Sequence, residues 1–239
     1  MKKNDLLNFI NLYHLGSLVE PVIWTVENNG CTVNFVSEDK TLIGTIIMDK
    51  GMDIEDSEFG VYTTSELLKI IGIMDEDVDI EIKTIDGRPY NMNLKDKRFK
   101  STYVLAEKTI IPKSAKLKNL PDFNVECTFD KKFIEDYLKA KNGLSSADAV
   151  AFEGHGDELK IIVGFSSSQT NRVNWSIKAT INNDLDTTPF SAEYLKAILS
   201  ANKDVKTARM QISDKGLMRI QCIHDKYNVE YFLVKLQIN

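Results

Sequence analysis

Ser65-Glu66-Leu67-Leu68-Lys69-Ile70-Ile71 returns later in the chain as Ala192-Glu193-Tyr194-Leu195-Lys196-Ala197-Ile198. Glutamate, leucine, lysine and isoleucine keep their spacing in both copies. Each copy then reaches an acidic residue and a valine, Asp77-Val78 and Asp204-Val205, and passes into a strand-like run. The first run covers residues 78–85 and ends at Asp86-Gly87. The second covers residues 207–212 and ends at Asp214-Lys215-Gly216. Upstream, Asn8-Phe9-Ile10-Asn11-Leu12-Tyr13 is echoed by Lys132-Phe133-Ile134-Glu135-Asp136-Tyr137 in its aromatic positions. Self-similarity at this spacing marks a chain made of two copies of one unit. Each copy reads as a helix, several strands, a second helix and more strands.

The helices have local signals. Thr63-Thr64-Ser65-Glu66 predicts a capping box, the Thr63 hydroxyl taking an orphan N–H and Glu66 reaching back. Leu67, Leu68, Ile71 and Met74 follow as an apolar stripe. Asp130 is placed to cap a helix carrying Phe133, Ile134, Tyr137 and Leu138 that ends near Asn142-Gly143, and Ser191 to cap one carrying Tyr194, Leu195, Ile198 and Leu199. A first helix over about residues 5–15 buries Leu6, Phe9, Ile10 and Tyr13 and stops at Gly16. Between the helices the period drops to two, as in Thr32-Val33-Asn34-Phe35-Val36 and Val78-Asp79-Ile80-Glu81-Ile82. Glu27-Asn28-Asn29-Gly30 and Asp86-Gly87 read as hairpin turns, and residues 229–238 as a long closing strand. The fold class is therefore α+β: two similar domains, each antiparallel sheet with two helices. The domains span residues 1–110 and 126–239. Residues 111–125, with Pro112, Pro121 and three lysines, read as an extended connector.

The 239 residues are 43% hydrophobic and 27% charged, an ordinary globular composition. No apolar run is long enough to span a membrane, and Met1-Lys2-Lys3-Asn4-Asp5 is not the start of a secretory signal, so a cytoplasmic location is expected. Cys31, Cys127 and Cys222 are scattered, which fits buried thiols better than a disulfide framework or a metal site. The net charge of −5 is uneven. Residues 1–110 hold 12 Lys+Arg and 19 Asp+Glu, whereas residues 126–239 hold 15 of each sign. A tight sequence-specific nucleic-acid binder shows a basic excess; contact with nucleic acid here would be local or geometric.

No catalytic constellation is apparent. His14 falls at a helix end, His155 in the turn Gly154-His155-Gly156-Asp157, and His224 beside Asp225, each reading as exposed or capping. Gly154-His155-Gly156 lacks the following helix of a phosphate loop. The acidic run 75–81 lacks the glycine and distal glutamate of a calcium loop. Ser166-Ser167-Ser168 has no nucleophile elbow around it. No metal or cofactor is expected, and the chain reads as a binding or structural protein rather than an enzyme.

The repeat, the connector and the ending together resemble DNA polymerase sliding clamps, those of T-even-like bacteriophages most and eukaryotic and archaeal clamps more distantly. The stretches that carry the resemblance are Asn8-Phe9-Ile10-Asn11 with Leu15-Gly16-Ser17, Phe59-Gly60-Val61-Tyr62 leading into Glu66-Leu67-Leu68, Pro189-Phe190-Ser191-Ala192-Glu193-Tyr194-Leu195, and Glu230-Tyr231-Phe232-Leu233-Val234. It covers nearly the whole chain. It implies a homotrimeric ring of six domains, helices lining the hole, encircling duplex DNA without reading its sequence. The partners it implies are a replicative polymerase, an ATP-driven clamp loader and, in some phage relatives, late-transcription factors. The lysines it implies for DNA contact are Lys2, Lys3, Lys69, Lys132, Lys139, Lys196 and Lys203. Glu135 and Asp136 dilute the basic face of the third helix. The partner-peptide pocket it implies comprises Val36, Leu42, Leu120, Pro121, Phe232 and Val234. Ring closure falls to edge strands at about residues 102–107 and 173–180. The competing reading is a β-rich phage structural or assembly protein with no DNA-tracking role.

Overall fold

Two buried tyrosines organise the structure, one in each half of the chain. In the computed structural model, which describes residues 1–114, 117, 119–168 and 171–237, the chain divides into two units. The first comprises Met1–Glu38, Ile43–Ala115 and Asp225–Val229; the second comprises Asp39–Leu42, Lys116–His224 and Glu230–Asn239.

The elements of the first half are α1 (Lys3–His14), β1 (Val22–Glu27), β2 (Gly30–Val36), β3 (Leu42–Met48), β4 (Ser57–Val61), α2 (Thr64–Gly72), β5 (Asp79–Ile85), β6 (Arg88–Lys95) and β7 (Lys100–Val104). Those of the second are β8 (Val125–Phe129), α3 (Lys131–Gly143), β9 (Ala149–His155), β10 (Glu158–Val163), β11 (Val173–Lys178), β12 (Thr180–Ile181), β13 (Leu185–Ser191), α4 (Ala192–Ala201), β14 (Ala208–Ser213), β15 (Leu217–Ile223) and β16 (Tyr227–Val234). The strands of the first half run β3-β2-β1-β4 and β5-β6-β7. Those of the second run β11-β10-β9-β13 and β12-β8-β14-β15-β16. The pairings are antiparallel. The two orders are the same once β8 and β12 are set aside, so the repeat in sequence is a repeat in topology.

Local chemistry explains the turns. Asn28 and Asn29 both take left-handed backbone, φ 52° and 66°, the conformation a two-residue hairpin requires. Asp86 and Gly87 do the same between β5 and β6, φ 50° and 73°. Gly44 is obligatory for another reason: the ring of its cross-strand partner Phe35 lies where a Cβ would stand. The first helix begins two residues earlier than expected and ends on left-handed Leu15, φ 52°. The closing strand is β16, which starts earlier and stops at Val234; Ile238 lies outside the described residues.

Two helix caps form as expected. Asp130 accepts from the Phe133 N–H at 3.1 Å and Ser191 from the Tyr194 N–H at 3.2 Å. The capping box at Thr63 does not form. Glu20, distant in sequence, supplies a carboxylate to the Ser65 N–H at 2.9 Å instead, and the Thr63 backbone is taken up by the Tyr103 hydroxyl. A charged acceptor held by tertiary structure outcompetes a local hydroxyl here.

Within each unit the two helices pack together, α1 on α2 and α3 on α4. The repeated aromatic positions make the joint. Phe9, Ile10 and Tyr13 are buried, as are Phe133, Ile134 and Tyr137. The Tyr13 hydroxyl accepts from the Trp24 indole N–H at 3.2 Å and lies 3.5 Å from the Thr64 hydroxyl at the start of α2. The Tyr137 hydroxyl donates to the Ala192 carbonyl at the start of α4 at 2.9 Å. Burial pushes both phenols far above the usual tyrosine range. Phe9 meets Trp24 edge-on at 5.3 Å, and Phe152 meets Phe190 at 6.0 Å, which fills the two cores with T-shaped pairs. Cys31, Cys127 and Cys222 are buried thiols, and burial pushes the latter two up to about 12.

Removing a buried hydroxyl that ties two elements costs about 0.5–1.5 kcal/mol. Tyr137→Phe is expected to lower unfolding stability by that amount and Tyr13→Phe to act in the same direction, as measured by equilibrium urea denaturation.

Candidate DNA interface

The arrangement that comes nearest to catalytic chemistry is His14, Glu20 and Ser65, and its geometry is that of a clasp. His14 is buried, so of the two readings its place at a helix end offered, exposed or capping, the first does not hold. Its Nε2 lies 3.2 Å from Glu20 Oε1 and 3.0 Å from Ser65 Oγ, and its Nδ1 accepts from the Ser17 N–H at 3.3 Å. A catalytic triad needs the acid on one ring nitrogen and the nucleophile on the other. Here both crowd the same nitrogen, and the Ser65 hydroxyl donates directly to Glu20. The clasp joins the end of α1 to the start of α2. His155 is an exposed residue 3.3 Å from Asp184, and His224 Nε2 lies 2.9 Å from the Asn202 side chain. Among the described residues no three His, Cys, Asp or Glu side chains gather as metal ligands. No helix among them is long and apolar enough to cross a membrane.

The lysines divide into committed and uncommitted groups. Lys3 is committed: its Nζ donates to the carbonyls of Gly72 at 2.7 Å and Met74 at 2.6 Å, closing the C-terminal end of α2. Lys2 is exposed just before α1, in a cleft shared with Asp75, Glu76, Asp77 and Lys97. Lys69 is exposed on α2. Lys132 and Lys139 are exposed on one face of α3, and Lys132 is paired with Asp136 at 2.8 Å, one turn on. That pairing holds the Asp136 carboxyl below the usual range. Lys196 is half-buried on α4, and Lys203 is exposed in the turn that follows. Because α3 packs on α4, the structure brings Lys132, Lys139 and Lys196 onto one helix pair, and places Lys69 at the repeat-equivalent point of the other.

Two features went unread in the sequence. Lys141, on the same helix as Lys139, is buried, with Nζ 2.7 Å from the Ser145 carbonyl and 3.6 Å from Glu193. Its spacing gave no sign of this. On α1 the exposed residues Asn4, Asn8 and Asn11 form an uncharged polar face. Their i, i+4, i+7 spacing was visible.

The residues expected at the partner pocket are variously placed. Leu42 is fully buried at the start of β3, and Phe232 is buried under the Arg219 guanidinium, 5.9 Å from its ring. Val36 and Pro121 are half-buried. Leu120 and Val234 are exposed, at 40% and 43%. The Val234 N–H donates to the Thr41 carbonyl at 2.9 Å, which brings the start of β3 and the end of β16 together within the second unit. Lys116 and Lys118 lie outside the described residues. β7 and β11 each end their sheet. Val104 on β7 is 73% exposed and Val173 on β11 40%. Trp175 on β11 packs against Phe133 of α3, 6.4 Å between rings.

No family model and no curated protein matches the sequence. The fold does match solved structures. The chain is similar over 99% of its length to proliferating cellular nuclear antigen from Entamoeba histolytica, with a TM-score of 0.76 at 11% identity, covering 96% of that chain. It is similar to a chain of the PCNA2–PCNA3 complex from Sulfolobus tokodaii, with a TM-score of 0.73 at 11% identity, covering 97% of this chain and 96% of that one. It is also similar to a chain in the structure of the C-terminal region of FEN-1 bound to A. fulgidus PCNA, with a TM-score of 0.77 at 14% identity, covering 100% and 98%. The chain has the two-domain DNA-clamp fold from end to end.

The Glu20 carboxyl gives a pH test. Burial raises its pKa, but hydrogen bonds from the Ser65 hydroxyl and N–H and from His14 outweigh this and hold it below its ordinary value of 4.5. A carboxyl lowered in the folded state contributes stability above its unfolded pKa and loses it as pH falls through the folded one. Glu20→Gln is therefore expected to destabilise the protein at pH 7 by about 1 kcal/mol, as loss of a charged helix cap does. The deficit against wild type should shrink below about pH 4, read from urea midpoints across pH.

Proposed function

We propose that this protein is a sliding clamp: a non-catalytic ring that encircles duplex DNA and tethers a replicative polymerase. The carrying observation is the repeated unit itself, two helices packed together over antiparallel sheets, with Lys69 and Lys139 exposed on the paired helices. The likeness to PCNA chains over the whole length supports the same reading.

On this reading residues 1–110 and 126–239 are the clamp domains and residues 111–125 the connector. Three copies close into a ring of six domains, with the edges at residues 102–107 and 173–180 pairing between copies; an unpaired sheet edge otherwise invites uncontrolled association. The hole is lined by the four helices. Lys2, Lys69, Lys132, Lys139, Lys196 and Lys203 face phosphates, and Lys3 acts on the fold rather than on DNA. Phosphate contacts position a protein without reading bases, which is what free travel along any sequence requires. The acidic excess of residues 1–110 repels DNA from the outer surface and favours the hole.

Partner proteins insert short apolar segments beside Val36, Leu42, Leu120, Pro121, Phe232 and Val234, where each buried anchor side chain is worth about 1.5–3 kcal/mol. Leu120 and Val234 are the two of these that offer open apolar surface. The structure of a FEN-1 C-terminal region on A. fulgidus PCNA is an example of a clamp holding a partner's tail. The ring is loaded by an ATP-driven loader, works in the cytoplasm of an infected cell and, by the sequence resemblance, serves a T-even-like bacteriophage, with late-transcription factors as further partners.

The test is extension of a long primed template by the cognate polymerase and loader. Addition of this protein is expected to lengthen the products, and a variant with Lys69, Lys132, Lys139 and Lys196 all changed to alanine is expected to remain folded and trimeric but give shorter ones. For each lysine–phosphate pair that the substitutions remove, the slope of log affinity against log salt should also fall by about 0.9. Unchanged product length with the wild-type protein contradicts the proposal.

A further inference from the structure

The two halves of the chain carry the same helix with different wet faces. Tyr13 and Tyr137 hold the same place at the helix joint, so Asn8 is the counterpart of Lys132 and Asn11 that of Glu135. All four are exposed, and the residues between them, Phe9, Ile10, Phe133 and Ile134, are buried. Burial is thus alike at these positions, and only the chemistry of the outer ones differs. α3 also carries Lys131, Asp136 and Lys139, whose counterparts in the first half are Leu7, Leu12 and Leu15. Between Leu6 and Leu15 there is no Asp, Glu, Lys or Arg. The charged groups in the first turn of α1 are engaged elsewhere, Lys3 by the carbonyls of Gly72 and Met74 and Asp5 by Lys226.

The outward face of a surface helix is ordinarily charged. On α1 that face is Asn4, Asn8 and Asn11, and their side-chain amides have no hydrogen-bond partner among the described residues. Asparagine is a weaker helix former than alanine, lysine, glutamine or glutamate, because its short amide competes for the backbone. Three of them at positions where packing does not decide the residue work against the helix that carries them. A local choice that opposes the fold points to a use outside it. Each amide offers two donors and one acceptor without charge. Such donors bind phosphate oxygens, and an uncharged contact displaces no counterion. A carboxylate here would repel a polyanion and an ammonium would grip it; α1 presents neither.

We propose that the asparagine face of α1 is an uncharged contact surface for duplex DNA, with Asn8 and Asn11, and Asn4 beside them, donating to phosphate oxygens. The two helix pairs then divide the work. Lys132 and Lys139 on α3 attract the duplex through contacts that salt weakens, and the amides of α1 meet the backbone through contacts that salt leaves alone. The inference rests on the clamp reading and adds to it residues which that reading does not use.

The test loads fluorescently labelled protein onto a long stretched duplex and follows its diffusion along the DNA from about 50 to about 200 mM salt. The doubly substituted protein Asn8→Ala, Asn11→Ala should diffuse faster than wild type, by a ratio that salt leaves unchanged. Asn8→Lys, Asn11→Lys should diffuse more slowly. Its gap to wild type should close by about threefold over that range for each added lysine–phosphate pair, the effect of a log–log slope of about 0.9. Lys132→Ala, Lys139→Ala should instead flatten the salt dependence. Alanine and lysine both favour helix over asparagine, so the α1 variants keep their fold, which circular dichroism checks. Four results would each overturn this inference alone: diffusion unmoved by either pair of α1 substitutions, an alanine effect that varies with salt, pausing at particular sequences that the alanine variant abolishes, or altered polymerase affinity with unaltered diffusion. Wild-type protein that is not retained on circular DNA would overturn the clamp reading and this inference together.

Discussion

A buried tyrosine hydroxyl at the joint between two helices is the interaction on which each half of the chain depends. Tyr13 and Tyr137 come from the first helix of their units and reach the first residues of the second. A phenol in that position must find a polar partner, because an unsatisfied buried hydroxyl costs more than the bond returns. The start of the second helix is where such a partner is at hand. The bond therefore sets where one helix begins relative to the body of the other, while Phe9, Ile10, Phe133 and Ile134 set how closely they lie. The outward side chains of two helices joined in this way form one surface rather than two.

On the proposed clamp reading, that surface is how an acidic protein tracks DNA. Lysines whose ammonium groups are not taken up by backbone carbonyls occur on both helix pairs, Lys69 on one and Lys131, Lys132, Lys139 and half-buried Lys196 on the other, although others, such as Lys40, Lys50, Lys97 and Lys100, lie off the helices. Lys3 and Lys141, which composition alone would count with them, are consumed by helix-end carbonyls and by burial. Lys132 is partly neutralised by Asp136. The charge these lysines supply is modest, which is what the proposed ring needs. In the proposed ring, closure around the duplex supplies retention, so the lining has only to keep phosphates company without holding any one of them, and friction rises with every further ion pair.

Much of the fold was legible in the sequence because its signals are local. The repeat around Glu66 and Glu193, the caps at Asp130 and Ser191, the Asn28-Asn29 and Asp86-Gly87 turns and the switch between periods of two and 3.6 all depend on neighbours a few residues away. What escaped is tertiary. Glu20 displaces the capping box because the loop after α1 delivers a carboxylate to the start of α2, and no reading of residues 63–66 contains that loop. His14 is buried by the same loop. Leu42 and Phe232 are core-facing residues of a pattern that reads the same whether the strand face meets solvent or packing. The candidate site was legible as a class of residue, lysines on helices, and not residue by residue, since a lysine's spacing does not say whether its ammonium meets water or a carbonyl.

On this account the protein holds DNA topologically, by surrounding it. The most direct measurement loads the protein onto nicked circular duplex with its loader, isolates the complex by gel filtration and cuts the circle once with a restriction enzyme. Protein that stays with the circle through the column and leaves within the time of linearisation is the predicted result. Retention that is equal on circular and linear DNA, or that depends on DNA sequence, would contradict it.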